Sequence, residues 1–257
     1  MKNIRRTLGL LLSTVAIFSL TPTNVMAGKP DFAPGKPDFA PGKPEIIPPG
    51  KNKCIIHNGM EYCPVLSPHT GKVWLDRNLG AAQVCEVFDD VACYGDYYQW
   101  GRNFDGHEDS LSGTNSTQAT DVNDVGHGDF IITHDDWAAD GVDNDGSIRS
   151  ANWQKTDGNS VCPVGYRVPI IGELEAELLS SGANIQNSDE AFKSFLNLPS
   201  AGIRIVDGSI VEEGKTGVVW SGTTVEDSQA HTLGFYTEAG TNPAEFVYGM
   251  SVRCLMD

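Results

Sequence analysis

The densest group of oxygen donors in the chain is Asp140-Gly141-Val142-Asp143-Asn144-Asp145-Gly146. Hard cations such as calcium take roughly six to eight oxygens, and glycine permits the sharp turn a ligand loop needs. Set into an EF-hand frame with Gly146 at the sixth position, the loop would begin at Gly141 and end at Asn152, and neither is the acid that frame requires. The stretch therefore reads in one of two ways. It is a calcium loop of another type, with Asp140, Asp143, Asn144 and Asp145 as ligands, or it is a plain turn, since Asp, Asn and Gly dominate turns. Asp105, His107 and Glu108 form a second group, able to bind a ligand or to cap a loop. Without the helical His-Glu-x-x-His spacing of a zinc enzyme, loop-fixing hydrogen bonds are the expectation. His127, His134, Asp135 and Asp136 make a third group in a stretch where spacing decides nothing. Trp137, Trp153 and Tyr248 are candidates for a surface on which a sugar ring stacks, set against burial as core anchors. The chain has no Gly-x-Ser-x-Gly elbow and no phosphate loop.

These groups fall mostly in residues 103–160, a polar stretch too long to be a plain connection in a compact domain. The elements around it must position it. Cys54–Cys63 (CIIHNGMEYC) predicts a hairpin closed by a type I′ turn at Asn58-Gly59. Counting back from the turn makes Cys54 and Cys63 a non-hydrogen-bonded pair, with α-carbons about 4.5 Å apart, at the short end of disulfide reach. Lys72–Asp76 reads as a strand. Cys85 and Cys93 bracket a short acidic loop and pair with each other. Tyr94–Arg102 reads as a short helix that buries Tyr98 or Trp100. Pro169 suits a first helical turn, and Ile171, Leu174 and Leu178 then share one stripe of a 3.6-residue period. Glu173, Glu175 and Glu177 lie off that stripe and are expected in solvent, with Gly182 as the stop. Ser188–Leu198 reads as a further helix, capped by Asn187 or Ser188 and ended by Pro199. Ile203–Val206 and Ser209–Val211 flank an Asp207-Gly208 turn. Val218–Ser221, His231–Tyr236, Glu245–Tyr248 and Ser251–Cys254 are the remaining strands. With two local cysteine pairs removed, Cys162 is left with Cys254. The fold class is α+β, with a mixed, mostly antiparallel sheet, two short helices and long loops, stapled by disulfides.

The N-terminus reads as a cleavable export signal, residues 1–27, with Lys2, Arg5 and Arg6 before the apolar run Leu8–Leu20 and a small-residue cleavage pattern at Val25-Met26-Ala27. No cysteine follows it closely, so the expected destination is secreted or periplasmic. Residues 28–51 repeat Gly-Lys-Pro and form an extended spacer, with Phe32 and Phe39 as possible short binding motifs. The folded domain spans 53–257. The formal net charge is −16, which excludes nucleic acid and anionic lipid as natural partners. No later apolar run is long enough to insert in a membrane.

Five stretches carry a resemblance: TGKVWLDRNLGAA (70–82), YGDYYQWGRNFDGHE (94–108), CPVGYRVPIIGELEAE (162–177), VWSGTT (219–224) and SVRC (251–254). In this order they resemble the Fibrobacter succinogenes major paralogous domain, a family similar to the C-type-lectin-like fold and related in shape to the formylglycine-generating-enzyme domain. The resemblance implies that Cys162 bonds Cys254, and that 103–160 lies where lectin-like domains carry ligand-facing loops. It supplies a fold more than an activity. The Glu-Pro-Asn or Gln-Pro-Asp and Trp-Asn-Asp triplets of calcium-bridged sugar binding are missing, and six paired cysteines leave none free for formylglycine chemistry. The expected function is a non-enzymatic, exported binding domain for a glycan or a cell-surface protein. An envelope hydrolase or modifying enzyme on the same scaffold is the alternative, and a purely structural surface protein the third.

Overall fold

The computed structural model describes residues 53–257 other than 88, 180–184 and 227. The leader, the Gly-Lys-Pro spacer with Phe32 and Phe39, and the stop at Gly182 lie outside the described residues.

Turn chemistry sets the first hairpin. Asn58 and Gly59 both adopt left-handed φ, 49° and 79°, as a type I′ turn demands. The register follows, with Ile55 opposite Tyr62, Ile56 opposite Glu61 and His57 opposite Met60. Cys54 and Cys63 then bond with α-carbons 4.1 Å apart. Cys85 bonds Cys93, and Cys162 bonds Cys254 across 92 residues of chain. The six cysteines are all paired, the pattern of an oxidising compartment.

The strand expected at Lys72–Asp76 is Val73–Leu75. It pairs Pro64–Leu66 on one side and Leu255–Met256 on the other, and Leu255–Met256 also pairs Tyr166–Arg167. A second antiparallel sheet comprises Gly217–Thr224, Gln229–Phe235 and Ala239–Glu245. Successive side chains of a strand point to opposite faces, and here each face enters its own core. Val218, Trp220 and Ala230 join Trp100, Trp137, Trp153 and Phe246. Val219, Leu233 and Phe235 join Trp74, Leu174, Leu198 and Leu255. A third sheet orders Ile210–Val211, Ile203–Arg204, Gly249–Met250 and Tyr98–Gln99. Its Asp207-Gly208 turn is the one expected, with the Asp207 carboxylate accepting from Ser209 N–H at 2.9 Å. Ladders are antiparallel except for the short Thr114–Asn115 pairing with Phe130–Ile131 and two isolated bridges. The domain is thus α+β with mostly antiparallel sheet. None of the described helices is long and apolar enough to cross a membrane.

Among the described residues three α-helices pack against these sheets: α1 (Ser147–Trp153), α2 (Ile171–Leu179) and α3 (Ser188–Lys193). In α2 the expected stripe is observed, with Leu174 and Leu178 buried and Ile171 at the margin of the same core. Its glutamates correct the expectation of a wet face: Glu173 is 8 % exposed and Glu177 1 %. Buried carboxylates need partners. Glu177 accepts from Ser67 Oγ at 2.7 Å, from Trp74 Nε1 at 3.0 Å and from Thr70 Oγ1. Glu173 pairs with Arg167 at 2.8 Å and Lys72 at 2.9 Å.

Other elements differ from their expectation for local reasons. Tyr94–Arg102 is not a helix, because Gly95 and Gly101 take φ of 82° and 76° and break it at both ends. Tyr98–Gln99 is a strand instead, and Tyr98 and Trp100 are buried as expected. α3 begins at the Asn187 cap, whose side chain accepts from Glu190 N–H at 3.0 Å. It stops well before Pro199, because Ser194 is extended and Asn197 is left-handed. The strand expected at Glu245–Tyr248 lies earlier, at Ala239–Glu245. Of the expected Ser251–Cys254 strand only a Val219–Ser251 bridge forms, and the ladder resumes at Leu255–Met256.

Candidate functional site

Three buried arginines organise residues 103–146. Arg102 donates to Asp129 O at 3.0 Å and His127 O at 2.7 Å, and pairs with Asp105 at 2.8 Å. Arg149, on α1, grips both Asp136 oxygens at 2.6 and 2.8 Å and Asp143 at 2.9 Å. Its guanidinium also lies 4.5 Å from the Phe246 ring centre and 5.0 Å from that of Trp137. Arg204 holds Asp109 O and Ser112 O, both at 2.9 Å, over the Phe130 ring at 4.2 Å. A planar guanidinium with five donors suits this clamping.

Most of the remaining acids spend an oxygen on backbone. Asp109, Asp121, Asp124 and Asp157 each accept from the N–H two residues on. This local bond is why Asp and Asn favour turns. The acid-rich stretch is therefore ordered by its own carboxylates.

The candidate trio Asp105, His107 and Glu108 does come together, with ligand atoms within 4.8 Å of one another. Its chemistry is closed. His107 is fully buried, and its Nε2 accepts from Gln99 N–H at 3.1 Å. The ring proton must then sit on Nδ1, where it donates to Asp105 Oδ1 at 2.7 Å. Burial pushes the imidazole down to about 4, with Asp105 only partly offsetting it. A metal on Nδ1 would need a lone pair there while the Nε2 lone pair is already committed to an amide, so the trio does not fit a metal centre. Glu108 is 3 % exposed and accepts from Gly106 N–H at 3.0 Å. His107 and Glu108 act as loop fixtures, the expected one of their two readings, and Asp105 is held by Arg102 and His107.

Several oxygens of 140–146 are spent within the loop. Asp143 accepts from Ile148 N–H at 2.9 Å and pairs with Arg149. Asn144 accepts from Gly141 N–H at 2.7 Å, and Asp145 from Ser147 N–H at 3.1 Å. Among the described residues no cluster of three metal-binding side chains includes Asp140, Asp143 or Asp145. Asp143, Asn144 and Asp145 each spend an oxygen on the loop itself, which supports the turn reading.

Trp137 and Trp153 are fully buried. Their indole N–H groups donate to Trp100 O at 2.8 Å and Arg102 O at 3.4 Å. They are core anchors with no exposed ring face, the burial alternative to their candidacy as a stacking surface. His127 and His134 do not join the trio; His134 Nε2 lies 2.9 Å from Ser116 O.

Two features had no signal in the sequence. Asp96 rests against Gly80, where a β-carbon would fall 2.0 Å from the carboxyl carbon. Burial, then Glu108 and Asp109, push its pKa up to about 7, and Tyr98 OH lies 3.4 Å away. The second feature is a cleft of about 480 Å³ between α1 and the end of Gly217–Thr224, lined by Asp145, Ser147, Ser150, Thr224, Val225 and Glu226 among others. Beside it, Gly146 sits at φ 67°, and a β-carbon there would lie 2.8 Å from Trp100 and 2.9 Å from both Phe246 and Thr224, so glycine suits this close approach of the loop to the sheet. Ser150 Oγ donates to Gly222 O at 2.7 Å and fixes α1 to the same strand. The cleft shares no residue with the Asp105–Glu108 trio. Open space is what an incoming ligand needs.

No family model, no curated protein and no solved structure matches this chain.

Proposed function

We propose that the chain is an exported, non-enzymatic binding domain of C-type-lectin-like fold, akin to the Fibrobacter major paralogous domain, presenting loops of 103–160 to a glycan or a cell-surface protein. The supporting observation is the clamping of that stretch by buried Arg102, Arg149 and Arg204. A rigid scaffold that carries long, ordered surface loops is the usual architecture of recognition. Such clamping lowers the ordering cost of binding. The three disulfides agree with export. The reading is tested with folded protein on glycan arrays and in pull-downs from envelope extracts. Retention that is lost when 109–126 is replaced by a short Gly-Ser loop is the expected result; no retention in either assay overturns it.

One observation favours a second, enzymatic reading. Burial first and then the field of Glu108 push the Asp96 carboxyl up to about 7, burial also raises Glu108, and a carboxyl so poised suits general acid–base work. Hydrolysis of envelope glycans that vanishes in Asp96→Asn would move the assignment there.

A further inference from the structure

We propose that the cleft between α1 and the end of Gly217–Thr224 receives a lysine side chain of a partner protein, its ammonium seated between Asp145 and Glu226. The inference rests on the binding-domain reading and names the partner's chemistry.

The lining carries two carboxylates and three hydroxyls, from Ser147, Ser150 and Thr224, and no cationic side chain. An ammonium offers three donors and no acceptor, which this set of acceptors matches. The carboxylates of the cleft stand apart from the other acids of the loops. Asp136 and Asp143 are neutralised by Arg149, and Asp105 by Arg102. Glu226 makes no side-chain hydrogen bond or ion pair among the described residues, and Asp145 takes its hydrogen bonds from Ser147, which hold its carboxyl below the usual range and keep it ionised. Val225 and Ala151 border the cleft and give the aliphatic stem of a lysine apolar surface to lie along.

The other occupants fit less well. The cleft has no aromatic lining on which a neutral sugar would stack, since Trp100, Trp137 and Trp153 are buried in the core. A second copy of the chain is repelled. The sequence holds 34 Asp and Glu against 18 Lys and Arg, and Arg102, Arg149, Arg204 and Arg253 are buried, so the surface is anionic and attracts cations.

Amide chemical shifts of the 15N-labelled domain, followed while pentalysine amide is added at low salt, test the proposal. The expected result is saturable shifts confined to 144–151 and 222–229. Affinity should fall by about tenfold in the Asp145→Asn/Glu226→Gln double variant. It should be unchanged in Glu61→Gln/Glu238→Gln, which removes the same charge elsewhere. Shifts spread over the whole surface, or equal loss in both variants, would show only general attraction and overturn the assignment. Saturable shifts at the cleft with a glucosamine oligomer and none with pentalysine would overturn it in favour of an amino sugar. Glycan-array binding together with a silent cleft would leave the binding-domain reading standing while this inference falls.

Discussion

The carboxyl of Asp96 occupies the space over Gly80 and meets the field of Glu108 and Asp109. A carboxyl whose folded pKa is raised takes up a proton on folding. Its contribution is fully present below the unfolded value of about 3.9 and is lost as pH rises through about 7. Glu173 runs the other way. Burial alone would raise it, but Arg167, Lys72 and the Ile170 N–H hold it down to about 2. Its stabilisation is fully present above about 4.3 and is lost as pH falls from there through about 2. Thermal melts across pH should therefore peak between about 4 and 6. Asp96→Asn should flatten the alkaline side and gain about 1–2 kcal/mol at pH 8. A melting midpoint that rises steadily to pH 8 in the parent protein would contradict both assignments.

At the scale of elements, α1 depends on one side chain. Arg149 is fully enclosed and answers two buried carboxylates. Arg149→Met should cost about 3–5 kcal/mol in urea unfolding, because it leaves Asp136 and Asp143 without their cation. Amide exchange should show the loss first in 136–146. The same contact explains what the chain discloses before folding. The hairpin at Asn58-Gly59 and the stripe of Ile171, Leu174 and Leu178 are legible because turn chemistry and helical period are local. α1 is not, since Ser-Ile-Arg-Ser-Ala-Asn-Trp has no apolar stripe and is held by partners 6 and 13 residues away. The oxygen density of 140–146 is visible in the residues. Whether those oxygens meet a cation or an arginine is decided by Arg149, which only the tertiary fold brings to them. Likewise, the cleft brings α1 next to the end of a strand more than 70 residues away, and nothing in the types of its lining residues announces it.

For the molecule as a whole, the three disulfides differ in what they close. In the chain-entropy account, a loop spanning 92 residues stabilises by about 4–5 kcal/mol and one spanning 9 by about 2–3. Replacing Cys162 and Cys254 together by Ala should therefore lower the urea midpoint more than replacing Cys54 and Cys63. Equal effects would assign the stabilisation to local geometry. Asp143, Asn144 and the trio spend oxygens on partners within the chain, so adding calcium or a chelator should leave the melting midpoint unchanged. An increase with calcium would be the mass-action signature of a native-state ligand.

Leu255–Met256 fills the gap between Val73–Leu75 and Tyr166–Arg167, and Cys254 next to it completes the bond to Cys162. Until residue 256 has been synthesised, both flanking strands wait with open edges and the sheet cannot be finished. Order in this domain thus arrives late and all together, because its central sheet closes only when the last strand is in place.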